Sequence, residues 1–498
     1  IVPKVTVPTY PEQHRVRLAI VDIPGMSYDG STLDRRGLGG SESAAILVAK
    51  ELQAIGFDVT VFNGCNEDDS KPGVYDGVTY RPITDIENDA CDFEVVISSR
   101  TVMPFVTEPF YGLQINTARQ YPYQMFKRLR EKAKLKVFWM HDTFSWGDDV
   151  IEDLVTTGAV NEIWCLSDFH TMYVMNCNHG RPRNYEVLRK HMWITRNGLR
   201  RYFNTVDLDK KDPNLFFFNA NMSKGLRTLL HSIWPRVKQQ IPKARLKVIG
   251  GFYKLGTAFN DDQEKNFKEL VGDKINDPSI EFTGVISQQK VAEICKESSY
   301  FLYPAELPET YGISCLESLY ANTPLLTCRF GALEETATEY SHMIDYAIIP
   351  NGLYPNINAG AQADAFVKMV VDAHKNPKEL RRRQLALDEI KDLVGWDVTA
   401  LQWKQHIYTK LGLYTQRGEF QLANYYSQKY NKIFGRRTTG PEQWVCPKLS
   451  DEQRMVIISP FWNAEPYIAR CIESVAVQDY DNFVHYLIDD CSSDNGYS

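Results

Sequence analysis

Short apolar runs alternate with helical patterns along most of this chain, in two successive series. RLAIVDIP (17–24) precedes an amphipathic helical pattern over 41–55, and FDVTVFNG (57–64) follows it. Such a strand–helix–strand unit predicts a right-handed crossover and a parallel sheet. The runs are continuously apolar rather than alternating, as in strands covered on both faces. DFEVVISS (92–99), LKVFWMH (135–141), EIWCLS (162–167) and MWITRNG (192–198) extend the first series. The second comprises NLFFFNA (214–220), RLKVIGG (245–251), IEFTGV (280–285), SYFLYPA (299–305) and TPLLTC (323–328), with helical patterns over 224–240 and 287–298. The expected fold class is α/β, with two doubly wound halves and the cleft between them as the default ligand site.

Length adds a third element. The 498 residues exceed what two such halves need. Residues 1–14 read as a leader or linker, 15–204 as the first half and 205–395 as the second. An amphipathic helix is expected over 396–412. Residues 413–452, polar and rich in Tyr and Gln, read as a linker. MVIISPFWN (455–463) opens a further strand–helix–strand unit over 453–498, too small to bury a core alone. The chain is therefore expected to stop inside a third domain.

The net charge of -7 argues against nucleic acid as a partner. No apolar run approaches the roughly 18 residues of a membrane span. No signal peptide is visible, and the start at Ile1 is read as leaving a true N-terminus outside the chain. The ten cysteines form no C-x-x-C or zinc-type cluster, so reduced thiols and a cytoplasmic location are expected. No metal site is expected; Asp142 and the pair Asp148 and Asp149 read as solvated loop acids.

The glycine loop RRGLGGSESAA (35–45) is not a dinucleotide fingerprint. Gly37 and Gly39 fit the pattern, but its sixth position is Glu42, and about a dozen residues separate Pro24 from Gly37. The second strand ends in Asn63-Gly64, without the ribose-binding acid, and no P-loop Gly-Lys-Ser/Thr follows. Two readings stay open. Gly39 and Gly40 let the backbone approach a ligand at a helix N-terminus, or the loop is bland, with Ser41 as N-cap and Glu42 complementing the helix dipole.

LPETYGISCLESLYANTPLL (307–326) carries more. Glu309 precedes a helix start at Tyr311-Gly312, and Glu317 falls about one turn inside that helix. Carboxylates accept hydrogen bonds from sugar hydroxyls, and the helix end between them suits a phosphate. Here the sequence resembles the family 4 retaining glycosyltransferases of GT-B type. Further resemblances are GGSESAA (39–45), WMHD (139–142), TRNGLRRYF (195–203), SKGLRTLL (223–230) and GWDVTALQWKQHI (395–407), together spanning roughly 17–412.

The resemblance implies a GT-B architecture, with two Rossmann-like domains facing a cleft, and transfer of a sugar from a UDP-, GDP- or ADP-sugar to a saccharide acceptor with retention. It implies that Glu317 holds the ribose, that Glu309 bonds the donor sugar, and that Lys224 neutralises the diphosphate. Tyr311, Gly312 and Ile313 would offer backbone N–H groups. Gly39 and Gly40 would lie by the diphosphate and acceptor, and His141 by the transferred sugar. The catalytic set is thus His141, Glu309 and Lys224, with no cofactor beyond the donor. Asn219 stands in the donor site where the family usually has Arg; Arg227, Lys254, Arg35 and Arg36 are candidates for the missing cation. Asn322 replaces a usual Gly and can still adopt a positive φ.

The tail resembles the start of a family 2 glycosyltransferase of GT-A type, through Pro460, Asn463, Glu465, Gln478, Asp489, Asp490, Ser492 and Asp494. Asp490 would contact a nucleobase, and the complete domain would need Mg or Mn. A tandem transferase is expected. A GT-B epimerase or hydrolase, or a non-catalytic sugar-binding module, remains an alternative. Peripheral membrane contact and oligomeric state stay open.

Overall fold

The computed structural model describes residues 15–23, 26–88, 92–107, 121–143, 148–176, 185–200, 203, 206–250, 261–284, 286–337, 340–345, 359–413, 417–434, 455–461 and 483–489. The chain divides into two compact units, 1–438 and 439–498.

The first unit holds two sheets. One contains β1 (Arg17–Asp22), β2 (Asp58–Asn63), β3 (Gly73–Tyr75), β4 (Val78–Pro82), β5 (Val95–Ser99), β6 (Leu135–Trp139), β7 (Glu162–Cys165) and β8 (Met192–Ile194), in the order β3-β4-β2-β1-β5-β6-β7-β8. The other contains β9 (Asp212–Phe218), β10 (Arg245–Ile249), β11 (Ile280–Gly284), β12 (Ser298–Tyr303), β13 (Leu325–Cys328) and β14 (His342–Ile344), in the order β11-β10-β9-β12-β13-β14. Pairing is parallel except between β3 and β4. Each expected strand forms, and its apolar run is explained by burial. In β1, Leu18 to Val21 have no exposed surface, nor do Phe216 to Phe218 in β9 or Phe301 to Tyr303 in β12.

In each sheet the strand order reverses at one place. The first has β2 on one side of β1 and β5 on the other; the second has β10 on one side of β9 and β12 on the other. Ligands of open α/β sheets bind outside the carboxyl ends of strands at these reversals. The two reversal points fix where chemistry can sit.

Six helices matter here. α1 (Gly40–Ala54) buries Ala44, Ala45, Val48, Ala49 and Leu52 on one face. α2 (Asp168–Asn176) follows β7, α3 (Gln288–Glu297) follows β11 and α4 (Ile313–Tyr320) follows β12. α5 (Trp396–Lys410) crosses back to the first sheet. Its Trp403 ring centroid lies 4.9 Å from Trp139 and 4.7 Å from Trp164, and His406 stacks on Trp193 at 4.0 Å. Each buried indole removes 150–250 Å² from water, by general measure about that of a large core residue. His406 also bonds Glu162 at 2.7 Å.

The stretch 413–452 departs from its reading as a linker. α6 (Arg417–Ile433) lies inside it and packs on α5, with Lys404 to Glu419 at 2.8 Å and Gln402 to Ser427 at 3.2 Å. Tyrosine rings bury this helix through their apolar bodies while keeping a polar end. The second unit shows β15 (Met455–Phe461) parallel to β16 (Phe483–Asp489). The helix expected over 464–477 lies outside the described residues, as do Asn463, Glu465, Gln478, Asp490, Ser492 and Asp494.

Candidate active site

One cavity of about 460 Å³ lies between the carboxyl ends of the two sheets. Gly39, Gly40, His141, Asn219, Lys224, Glu309, Tyr311, Gly312, Ile313 and Glu317 all line it. The structure thus gathers these ten residues from stretches up to about 280 residues apart.

The second sheet's wall is set by local turns. Asn219 follows β9. A short turn, Met222–Lys224, is capped by the Asn221 carboxamide oxygen, which accepts from Ser223 N at 3.0 Å. Gly225 ends it at φ 108, and a Cβ there would lie 2.0 Å from the Pro304 carbonyl oxygen. Only glycine lets this turn press against the chain leaving β12. The close approach carries Lys224 to Glu309, where Nζ donates to Oε1 at 2.7 Å. The buried Tyr303 hydroxyl donates to the same oxygen. Gly312 is the N-cap residue of α4, and Glu317 lies one turn into that helix.

Tyr311 contributes main chain to the cavity while its ring is buried elsewhere. Its hydroxyl donates to Asn197 O at 3.0 Å and lies 3.3 Å from the Tyr430 hydroxyl on α6. The Arg196 guanidinium covers the Tyr430 ring at 3.6 Å. Burial pushes the Tyr311 hydroxyl well above its usual pKa, so it remains a donor. Asn322 adopts φ 52, as its place required, and its carboxamide donates to Asp388 at 2.9 Å.

The first sheet's wall starts at α1. Glu42 folds back over Gly39 and takes bonds from Met26 N at 3.2 Å and Ser41 Oγ at 2.9 Å. A Cβ on Gly39 would sit 2.2 Å from Glu42 Oε2, so this glycine makes room for a carboxylate of its own chain. A Cβ on Gly40 would touch Ile313 Cδ1 at 3.6 Å, which places the glycine loop against the start of α4.

His141 lies two residues past β6 with 8% of its surface exposed, its ring 4.1 Å from that of Trp139. Burial, aided by Arg100 and His170, holds its pKa well below the usual value, so the ring is neutral at pH 7. Nε2 is buried with no partner among the described residues. A neutral imidazole of this kind can bond a hydroxyl but cannot serve as a cation for phosphate.

The cations differ from the sequence expectation. Arg35 pairs with Asp29 at 3.0 Å and Asp69 at 3.2 Å; Arg36 pairs with Asp69 at 3.0 Å and donates to Ser27 O at 2.6 Å. Both are committed to Ser27, Asp29 and Asp69 and do not line the cavity. Arg227 is exposed outside it, and Lys254 lies outside the described residues. Arg100 and Arg200 line the cavity instead. Arg100 follows β5 at φ 62, a strained value for a side-chain-bearing residue. Its Nε donates to Asp142 at 2.9 Å and its Nη1 lies 3.5 Å from Glu42. Burial works against the charge, but Asp142, Glu42 and Asp22 outweigh it and raise the pKa. Asp142 is therefore a paired acid on the cavity wall, though its side chain stays partly exposed. The available signal was positional: Arg100 directly follows a strand at a reversal of strand order.

Several bonds join the two walls. Thr310 Oγ1 donates to His141 O at 2.8 Å, and Ser167 Oγ donates to Thr310 O at 2.7 Å. Glu335 accepts from Asp168 N at 3.0 Å and Phe169 N at 2.5 Å, capping α2 from the opposite half. Among the described residues, no group of acids, histidines and cysteines could hold a metal, and no helix is long and apolar enough to cross a membrane.

Comparison with known proteins agrees with this geometry. Residues 202–384 match the family "Glycosyl transferases group 1", and 456–497 match "Glycosyl transferase family 2". No curated protein matches the chain. Among solved structures, sucrose-phosphate synthase from Thermosynechococcus elongatus is similar at 15% identity and TM-score 0.53, covering 80% of this chain and 99% of that one. HepE from Anabaena, in complex with UDP and glucose, is similar at 12% identity and TM-score 0.53, covering 79% of this chain and 100% of its own. The catalytic domain of starch synthase IV from Arabidopsis thaliana, bound to ADP and acarbose, shares 11% identity at TM-score 0.53, covering 80% and 100%. At these identities the likeness is one of fold, and the fold is GT-B. Residues 202–384, which match the group 1 glycosyl transferase family, thus form the second half of a GT-B fold.

Proposed function

We propose that the first unit transfers a sugar from a nucleoside diphosphate sugar to a saccharide hydroxyl with retention of configuration. The observation that carries this reading is the Lys224–Glu309 pair at the reversal point of the second sheet, beside Glu317 and facing Gly40 and His141. Residues 15–204 with α5 form the acceptor-side domain, and 205–395 form the donor domain. UDP with HepE and ADP with starch synthase IV support a nucleoside diphosphate as the donor's leaving group.

In this reading the ribose hydroxyls meet Glu317. Ile249, Ile286 and Val291 give an apolar wall for the base beside Gln288, whose Oε1 is buried without a partner among the described residues. The diphosphate lies between Lys224 and the main-chain N–H groups of Tyr311, Gly312 and Ile313, with Gly39 and Gly40 closing over it and Asn219 alongside. Glu309 bonds the donor sugar, and His141 bonds a hydroxyl of that sugar through Nε2.

The transition state is oxocarbenium-like. The bond from C1 to the phosphate oxygen breaks, and its electron pair stays on the diphosphate. Lys224 and the α4 N-terminus stabilise that charge in a site closed to water. No carboxylate stands as a clear nucleophile. The acceptor oxygen therefore attacks from the face the leaving group departs, and its proton passes to the leaving phosphate oxygen. The Lys224–Glu309 bond satisfies both groups before the donor enters, and the donor exchanges it for phosphate on one side and hydroxyl on the other.

The test is to incubate the protein with UDP-, GDP- and ADP-sugars and measure free nucleoside diphosphate with and without saccharide acceptors. Acceptor-dependent release is expected. Release that ignores acceptors would instead mark an epimerase or hydrolase. No release would mark a sugar-binding module, a reading that Asn219 in place of a cation favours. We place the protein in the cytoplasm, and we assign the tail to a metal-dependent (Mg or Mn) second transferase with Asp490 at its nucleobase.

A further inference from the structure

The wall facing the donor carries charged groups that the transfer step leaves unused. Asp22 ends β1, Arg100 follows β5, Asp142 follows His141, and Glu42 projects from the first turn of α1. They converge where the first sheet reverses its strand order, the place where an open α/β sheet takes its ligand. Glu42, Arg100 and Asp142 line the cavity and Asp22 lies behind them.

These groups are held, not loose. Glu42 is 4% exposed and fixed by Met26 N and Ser41 Oγ as well as by Arg100. Arg100 keeps a left-handed backbone that a residue with a side chain adopts at a cost. Beside them, His141 lines the same cavity and keeps a buried Nε2 with no partner among the described residues.

The charge balance decides what such a station can hold. One guanidinium is matched by two carboxylates, Asp142 and Glu42. A phosphate arriving here would have to displace carboxylates from Arg100 and would meet their repulsion. Sugar hydroxyls face no such barrier: they donate to Glu42 and Asp142 and accept from Arg100 without breaking the set. We propose that Glu42, Arg100 and Asp142 form the acceptor station and select an uncharged, polyhydroxylated acceptor over one bearing a phosphate next to the attacking hydroxyl. This rests on the transfer reading above.

The experiment compares neutral oligosaccharides of glucose, mannose and galactose with their 6-phosphates. It uses the donor that releases nucleoside diphosphate and measures acceptor-stimulated release. The wild-type protein is expected to favour the neutral acceptor at least tenfold in kcat/KM. The double variant Glu42→Gln/Asp142→Asn removes both carboxylates paired with Arg100, so this preference falls at least tenfold, chiefly through acceptor KM. A merely structural role would not change the preference. Asp142 is half exposed, so the single variant Asp142→Asn serves if the double variant does not fold, with a smaller shift in the same direction. Wild-type preference for the phosphorylated acceptor, or an unchanged preference in folded variants, overturns the inference and leaves the transfer reading intact. Absence of release from every donor overturns the transfer reading, and the inference with it.

Discussion

The two walls of the cleft are built in different ways. On the proposed donor side, Lys224, Glu309 and Glu317 sit on turns and one helix whose local sequence already places them; one tight glycine contact, at Gly225, and one capping carboxamide do the rest. On the facing side, Glu42, Arg100 and Asp142 come from three segments that only the assembled sheet brings together. One wall is written in contiguous motifs, the other in strand ends. Chemistry common to many transferases can live on the first, while the second is free to vary with what it must recognise.

The largest effect separates the walls by function. Lys224→Ala or Glu309→Ala should lower kcat by about 10³, the scale of losing one charge-stabilising group, with a melting temperature near that of the parent. Full activity in either purified variant would remove the donor wall from the mechanism.

Next is the bond between the walls. Burial lifts the Glu335 carboxyl to about 7, against the two backbone N–H groups that favour its charge. A carboxyl with a raised folded-state pKa contributes stability that is complete below its unfolded pKa. That contribution is lost as pH rises through about 7, up to about 3 kcal/mol for this shift. Asp22, lifted by burial and by Glu42 to about 7, acts in the same direction. Glu335→Gln should therefore flatten the fall in melting temperature between pH 5 and 8; an unaltered slope would assign the fall to Asp22.

A smaller effect tests the facing wall alone. Gly39→Ala puts a methyl where Glu42 folds back, and overpacking of this kind costs about 1–3 kcal/mol by urea unfolding. A loss below about 0.5 kcal/mol would show the Glu42 carboxylate free to move, and would weaken its claim to hold an acceptor. The smallest effect is a null one. Arg35→Ala/Arg36→Ala should leave donor affinity by calorimetry within about twofold, since both arginines are paired with Asp29 and Asp69 and neither lines the cavity. A tenfold loss would move them back into the donor site.

The same contrast explains what was legible in the sequence. The long strands were readable because each is a continuous apolar run covered on both faces, as in β1 and β9. β3 and β14 are three residues each, Gly73–Tyr75 and His342–Ile344, too short to show a period. α6 was read as a linker because its buried face is made of Ala423, Tyr430 and Phe434 with partly buried Tyr426, and tyrosine-rich polar sequence does not look like a core helix. Donor-side residues followed from spacing, Glu309 to Glu317 within one loop and helix. Arg100 did not, because its partners Glu42 and Asp142 lie 58 and 42 residues away and pairing across strands leaves no local pattern. Arg35 and Arg36 were misleading for the opposite reason: nearness in sequence to the glycine loop says nothing about Asp29 and Asp69 claiming them.

The buried contact between Tyr311 and Tyr430 bears on where a working catalytic piece can be trimmed. The matched group 1 segment stops at residue 384 and the crossover helix at Lys410, yet the hydroxyl behind the donor loop finds its neighbour on a helix that begins at Arg417. A chain shortened to either of the earlier ends would keep every donor-binding side chain and open a wet seam behind them, where Arg196 loses the ring it covers. A piece meant to keep this contact is expected to need the chain to residue 434.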